Sequence, residues 1–239
     1  MSRFPPSVRR LACLLLPALL ALSACATLPA GTGAKRAPAI PAEVSNAEWE
    51  NDMRRFAAED ASAPPPENAV LFVGSSSIRL WESLARDFPG VKVINRGFGG
   101  SEIRDSTWYA DRIVLPYRPK TVVLYAGDND LASGRTPQQL HDDFVAFADL
   151  LQRRLPRTRL VYISTKPSPS RAQLLDAQRQ ANALIKAESA RRGIVYVDVF
   201  TPMLDADGKP REDLFLADRL HMNPAGYAIW RELLAPYIE

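Results

Sequence analysis

The segment AVLFVGSSSIRLW (residues 69–81) runs from five apolar residues through Gly74 and three serines into a helix-like stretch. A short unbroken apolar run closed by a turn signal reads as a strand buried on both faces, as in a parallel sheet. Four further runs have the same character: VKVIN (91–95), TVVLYA (121–126), RLVYIS (159–164) and IVYVDV (194–199). Each is followed by a loop or helical segment. Five strands alternating with helices predict an α/β domain with a parallel sheet covered on both faces.

The covering helices carry their own signals. Thr136 with Pro137 starts one, with Leu140, Phe144, Phe147 and Leu151 along one face. Ser170 is read as the cap of another, with Leu174, Ala181, Leu184 and Ile185 inward, and Asn223 with Pro224 starts the last. Upstream, SNAEWENDMRRFAAED (45–60) spaces Trp49, Met53, Phe56 and Ala57 for a one-sided helix capped by Ser45 or Asn46 that docks on the domain.

The beginning of the chain reads differently. MSRFPPSVRRLACLLLPALLALSAC places three arginines before an apolar run, Leu11 to Leu22, and small residues before Cys25, the layout of an export signal. LSAC (22–25) resembles a bacterial lipobox, which implies cleavage before Cys25 and lipid on its sulfur. The expected organisation is a signal over 1–24, a lipidated Ala- and Pro-rich tether over 25–44, and one domain over 45–239. The expected location is the cell envelope, at the outer membrane facing the periplasm.

Residues 1–24 carry Arg3, Arg9 and Arg10 and no acidic side chain, so the chain's 30 basic residues fall to 27 beyond them, equal to the 27 acidic ones. No basic cluster suits a nucleic-acid partner. Of two cysteines, Cys13 leaves with the signal and Cys25 is acylated in this reading, so no disulfide or thiol chemistry is expected.

In an open parallel sheet, ligands sit beyond the carboxyl ends of the strands. The unusual residues collect there: GSSS (74–77), RGFGGS (96–101), GDND (127–130) and, well after the fifth strand, DRLH (218–221). Acyl transfer by serine needs an imidazole base, a carboxylate that fixes its tautomer, and preorganised donors for an oxyanion. These loops contain all of them. Of the two histidines, His141 sits on a cover helix and reads as a surface residue, leaving His221 as the base. Rival motifs fail: GSSSI lacks the second glycine of G-x-S-x-G, GFGG lacks the third glycine of a dinucleotide loop, and there is no H-E-x-x-H.

The four blocks, in this order, resemble the SGNH hydrolases, also called the GDSL esterase and lipase family. The resemblance implies Ser76 as nucleophile, Asp218 and His221 as its partners, and an oxyanion hole from the Ser76 N–H, the Gly100 N–H and the Asn129 amide. It also implies a flavodoxin-like three-layer αβα sandwich with strand order 2-1-3-4-5, and no cofactor or metal. Ser75 stands where the family usually has Asp, and Ser101 where an Asp often follows the glycine, so the network around the nucleophile must differ. The expected substrates are small acyl esters, acetyl-type by preference, carried on glycans or lipids of the envelope. Lysophospholipase, thioesterase and acyltransferase activities, or a non-catalytic lipid-tethered binding protein, are the alternatives.

Overall fold

The computed structural model describes residues 48–238. The expected signal, Cys25, the tether and the proposed caps Ser45 and Asn46 lie outside the described residues. Five strands form one sheet: β1 (Val70–Gly74), β2 (Val93–Gly97), β3 (Thr121–Tyr125), β4 (Arg159–Ile163) and β5 (Val195–Val197). Their order is β2-β1-β3-β4-β5 and every pairing is parallel, the expected architecture.

Nine α-helices accompany the strands among the described residues. They are α1 (Glu50–Ser62), α2 (Ser76–Arg79), α3 (Leu84–Asp87), α4 (Ile103–Trp108), α5 (Ala110–Ile113), α6 (Asp128–Ala132), α7 (Pro137–Arg154), α8 (Leu175–Arg192) and α9 (Pro224–Leu234). Because side chains alternate across a strand, the sheet feeds two cores. Leu71, Val73, Val122, Leu124 and Tyr162 pack with residues of α1, α4, α5, α7 and α8, such as Phe56, Ile103, Ile113, Phe144 and Ile185. Val70, Phe72, Val123, Tyr125 and Ile163 pack against Ile78, Leu84 and Trp230 of α2, α3 and α9.

Local chemistry sets the helix ends. Thr136 and Gln139 form a reciprocal capping box at α7, and the Asn223 side chain accepts from the N–H groups of Ala225 and Gly226 at α9. The α1 helix docks on the domain as its pattern predicts, through Trp49, Met53 and Phe56, while Ala57 is exposed.

Two elements depart from expectation. The second strand lies two residues later than the apolar run VKVIN, because pairing with Val73 and Gly74 recruits Arg96 and Gly97. Ser170 caps nothing: a 3₁₀ turn spans Pro169–Leu174 and α8 starts at Leu175, with Leu184 37% exposed. The inward face of α8 is partly polar. Asn182 brackets Thr165 with two 2.9 Å bonds to its N–H and carbonyl, and Gln178 donates to the Lys166 carbonyl at 3.1 Å, so this helix grips the loop after β4 through amides.

All the carboxyl ends open on one edge, and the backbone there is crowded. Gly74 has φ +134, and a Cβ on it would lie 1.7 Å from the Tyr125 carbonyl oxygen. Only glycine fits. Gly74→Ala is therefore expected to cost about 3 kcal/mol or more, read in a thermal melt as a fall in Tm of about 6–12 °C.

Candidate active site

At the end of β1 the chain turns sharply into α2, with Ser75 before the helix and Ser76 as its first residue. The Ser75 N–H donates to the Tyr125 carbonyl at 2.9 Å, and Tyr227 donates its hydroxyl to the Ser77 carbonyl at 3.0 Å. These two bonds clamp the turn on both sides of Ser76. Ser75 and Ser77 are buried, while Ser76 alone of the three is partly exposed. The Ser75 hydroxyl has no hydrogen-bond partner among the described residues, so backbone contacts position the turn where a longer acidic side chain is usual in the resembled family.

DRLH is not a helical turn. Arg219 takes a left-handed conformation (φ +59), and Phe215 bridges Met222 in antiparallel fashion, giving a tight hairpin-like loop. Within it, one Asp218 oxygen accepts from the N–H groups of Leu220 and His221, both at 2.9 Å. The other lies 2.6 Å from His221 Nδ1. The backbone N–H groups of His221 and Leu220, followed by the imidazole, hold the Asp218 carboxyl down to about 2. A carboxylate only accepts, so Nδ1 carries the proton and the lone pair of Nε2 faces outward. Nε2 lies 3.0 Å from Ser76 Oγ. Residues 145 positions apart are thus joined in one line of hydrogen bonds.

Gly100 lies in the loop after β2, and Asn129 lies in the first turn of α6, just after β3. Gly97 leads in, pressed so close to α2 that a Cβ would meet the Arg79 nitrogen at 2.2 Å. Gly100 is exposed, with φ +80 and open space where a side chain would stand. Asn129 donates to the Ser101 carbonyl at 3.0 Å, which ties α6 to the glycine loop and leaves its second amide proton for a ligand. Ser101 in turn donates its hydroxyl to the Phe98 carbonyl at 2.9 Å.

Three contributors escaped the sequence reading. Arg171 donates to the Asn129 side-chain oxygen at 2.9 Å and pairs with Asp128 at 3.1 Å. Lys166, only 1% exposed, meets the same Asp128 oxygen at 3.1 Å. Burial pushes the Asp128 carboxyl up, but Lys166 and Arg171 outweigh it and hold the group below its ordinary value. Asp130 has no such cations; burial pushes it well up, and its Oδ1 accepts from the Ile103 N–H at 3.0 Å. The sequence signal for Lys166 was a lysine in a Pro-Ser loop at a strand's carboxyl end. Trp49 is the third: it donates from Nε1 to the Gly99 carbonyl at 2.7 Å.

Other residues of the quoted segments and His141 take no part in this line of contacts. Trp81 is core, and Arg96 is buried between Tyr117 and Asp60. His141 lies on α7 against Gln138 and Asp142 and makes no contact with Ser76, Asp218 or His221. No group of three or more His, Cys, Asp or Glu able to hold a metal ion occurs among the described residues.

A partly exposed serine at a sharp turn, an oriented imidazole and amide donors on neighbouring segments are the parts that acyl transfer uses. A comparison with curated protein sequences gives no match. Among solved structures, the chain resembles a GDSL-like lipase of Bacteroides thetaiotaomicron (24% identity, 78% of this chain and 96% of that one, TM-score 0.67). It also resembles a catalytic mutant of an acetylxylan esterase of Geobacillus stearothermophilus (14% identity, 72% and 94%, TM-score 0.60). At these identities the likeness speaks for the fold. The model of the GDSL-like lipase/acylhydrolase family matches residues 67–229, well over half of the sequence, and the chain therefore belongs to that family of ester-hydrolysing enzymes.

Proposed function

We propose that the protein is a serine esterase that removes short acyl groups through an acyl-enzyme on Ser76. The observation that supports this reading is the continuous line from Asp218 through His221 to Ser76, with spacings of 2.6 and 3.0 Å. In the first step Ser76 Oγ attacks the ester carbonyl carbon while its proton passes to His221 Nε2. Negative charge then develops on the former carbonyl oxygen. The Ser76 N–H, the Gly100 N–H and the free proton of the Asn129 amide receive it. Collapse of the tetrahedral species breaks the ester C–O bond, and His221 returns the proton to the leaving alcohol. Water repeats the sequence on the acyl-enzyme and frees the acid.

A preference for short acyl groups follows from what surrounds the edge. The long connection from β5 to α9 exposes mainly charged residues, among them Asp205, Asp207, Lys209, Glu212 and Asp213. Its one exposed large apolar side chain is Leu216, too little surface to cap a long chain. An acetylxylan esterase among the structural neighbours agrees with acetylated glycans as substrates. In the same reading the enzyme is exported and anchored to the envelope by lipid on Cys25. No described helix is long and apolar enough to cross a membrane.

A fluorophosphonate probe followed by peptide mapping is expected to label Ser76, with labelling lost in Ser76→Ala and strongly slowed in His221→Ala. Label on another serine, or none on folded protein, removes the assignment. p-Nitrophenyl acetate is expected to turn over faster than the octanoate, and product analysis with a sugar acceptor separates hydrolysis from acyl transfer to an alcohol.

Because the Asp218 carboxyl titrates at about 2, the kcat/KM profile should carry no limb from it above roughly pH 3. Asp218→Asn is expected to lower kcat by about 10²–10⁴-fold across the whole range, since Nδ1 then loses its fixed acceptor. A residual activity within a few-fold of the parent contradicts the orienting role. For the anchor, full-length protein expressed in a Gram-negative host is expected in the membrane fraction and Cys25→Ser in the soluble one; unchanged partition rules out the lipid.

A further inference from the structure

The Gly99–Gly100 peptide is a conformationally permissive choice for an oxyanion donor. Neither residue has a Cβ, Gly100 sits at φ +80, and nothing lies within 4 Å of the position a Gly100 side chain would take. A flip of this peptide plane, by opposite changes in Gly99 ψ and Gly100 φ, meets nothing on the Gly100 side, while on the Gly99 side only the flexible end of the Arg79 side chain stands close, 3.0 Å from where a Cβ would lie. A flip turns the Gly100 N–H away from where it was and puts a carbonyl oxygen in its place. Something must hold the plane.

The carbonyl of that same peptide is the Gly99 oxygen, and it accepts the indole N–H of Trp49 at 2.7 Å. No peptide bond here is cis, so the C=O and N–H of the unit point in opposite directions. Fixing the carbonyl on Trp49 therefore fixes the N–H on the other side. Drawing electron density toward the carbonyl also makes the N–H a better donor.

Trp49 is itself held. It is 8% exposed, and its ring meets the Phe98 ring edge-on, with centroids 5.8 Å apart and planes at 75°. At the far end of α1, Asp60 pairs with Arg96 and accepts from the Tyr117 hydroxyl at 2.6 Å. The helix thus grips the glycine loop before and after Gly97. Both contacts come from residues upstream of the family-matched segment 67–229.

We infer that Trp49 is a positioning residue for ester hydrolysis, locking the Gly99–Gly100 peptide so that the Gly100 N–H faces the developing oxyanion. The inference rests on the proposed role of Gly100 in the hole. Its test is Trp49→Phe, which keeps an aromatic ring on Phe98 and removes only the N–H. With p-nitrophenyl acetate, kcat is expected to fall about tenfold, a part of the 10²–10³-fold that a whole oxyanion donor is worth, while KM stays within twofold.

Comparison with the matching thionoester supplies a readout that loss of folded protein does not move. Sulfur is a poor hydrogen-bond acceptor, so a weakened hole costs the oxygen ester more, and the oxygen-to-sulfur rate ratio should drop in the variant. If Trp49→Phe lowers Tm by more than about 4 °C, beyond what one lost hydrogen bond explains, benzothienylalanine at position 49 replaces the N–H by sulfur at nearly unchanged shape. A parental kcat and rate ratio in a folded variant overturns the inference. Ser76→Ala run alongside separates the failures: an inactive Ser76→Ala with a parental Trp49→Phe sinks the positioning role alone, whereas an active Ser76→Ala sinks the esterase mechanism beneath it.

Discussion

Close approach of backbone to backbone at the carboxyl edge of β1 is the constraint on which the site depends. Gly74 lies against the Tyr125 carbonyl, and Gly97 against the backbone of Ile78 and Arg79, each closer than any Cβ allows. These contacts draw the serine turn down onto β3 and bring the glycine loop beside α2. At Gly74 the cost includes a backbone at φ +134 that only glycine adopts cheaply, while at Gly97 only the missing Cβ is needed. What they produce is a serine whose neighbours on either side are buried while it alone faces outward.

A second layer of order comes from charge. An isolated carboxylate as buried as Asp128 costs many kcal/mol, enough to protonate it instead. Lys166 and Arg171 reverse that balance, and the contrast with Asp130, two residues on and without cations, shows how local the effect is. A buried ion pair of this kind adds little net stability over an apolar replacement. Its consequence is geometric: Arg171 cannot leave Asp128 without also releasing the Asn129 amide oxygen. Two of the three candidate oxyanion donors, the Asn129 amide and the Gly100 peptide, thus have their own carbonyl oxygen anchored by a nitrogen donor from a distant segment.

The strands were legible because each is a short apolar run with a turn signal behind it, and a sheet buried on both faces demands that pattern. The second strand slid by two residues because Arg96 and Gly97 have no apolar signature; pairing with Val73 and Gly74 placed them. Helix α8 misled for the opposite reason. Its inward face uses Gln178 and Asn182 to hold the loop after β4, so apolar periodicity pointed at Leu184, which faces water. His221 stood out because the sequence has only two histidines, and Ser76 and Asp218 because the four ordered blocks resemble those of the family. Lys166, Arg171 and Trp49 did not, since each acts by a hydrogen bond or ion pair across 38 or more positions, and spacing along the chain carries no trace of it.

The involvement of α1 has a further physical consequence. A parallel sheet leaves its two cores to be closed by whatever helices the chain supplies, and α1 closes one beside the edge strand β2 through Met53 and Phe56. That apolar contact alone would fix the helix only loosely in rotation, because hydrophobic burial is non-directional. The polar contacts at its two ends, Trp49 to Gly99 and Asp60 to Arg96, set its rotation and make the glycine loop part of the same rigid unit. Packing of α1 and alignment of the Gly100 N–H then become one equilibrium: any movement that lifts the helix also frees the peptide plane. If the enzyme is tethered to the envelope from upstream of α1, the tether joins the domain at the helix that holds its oxyanion loop.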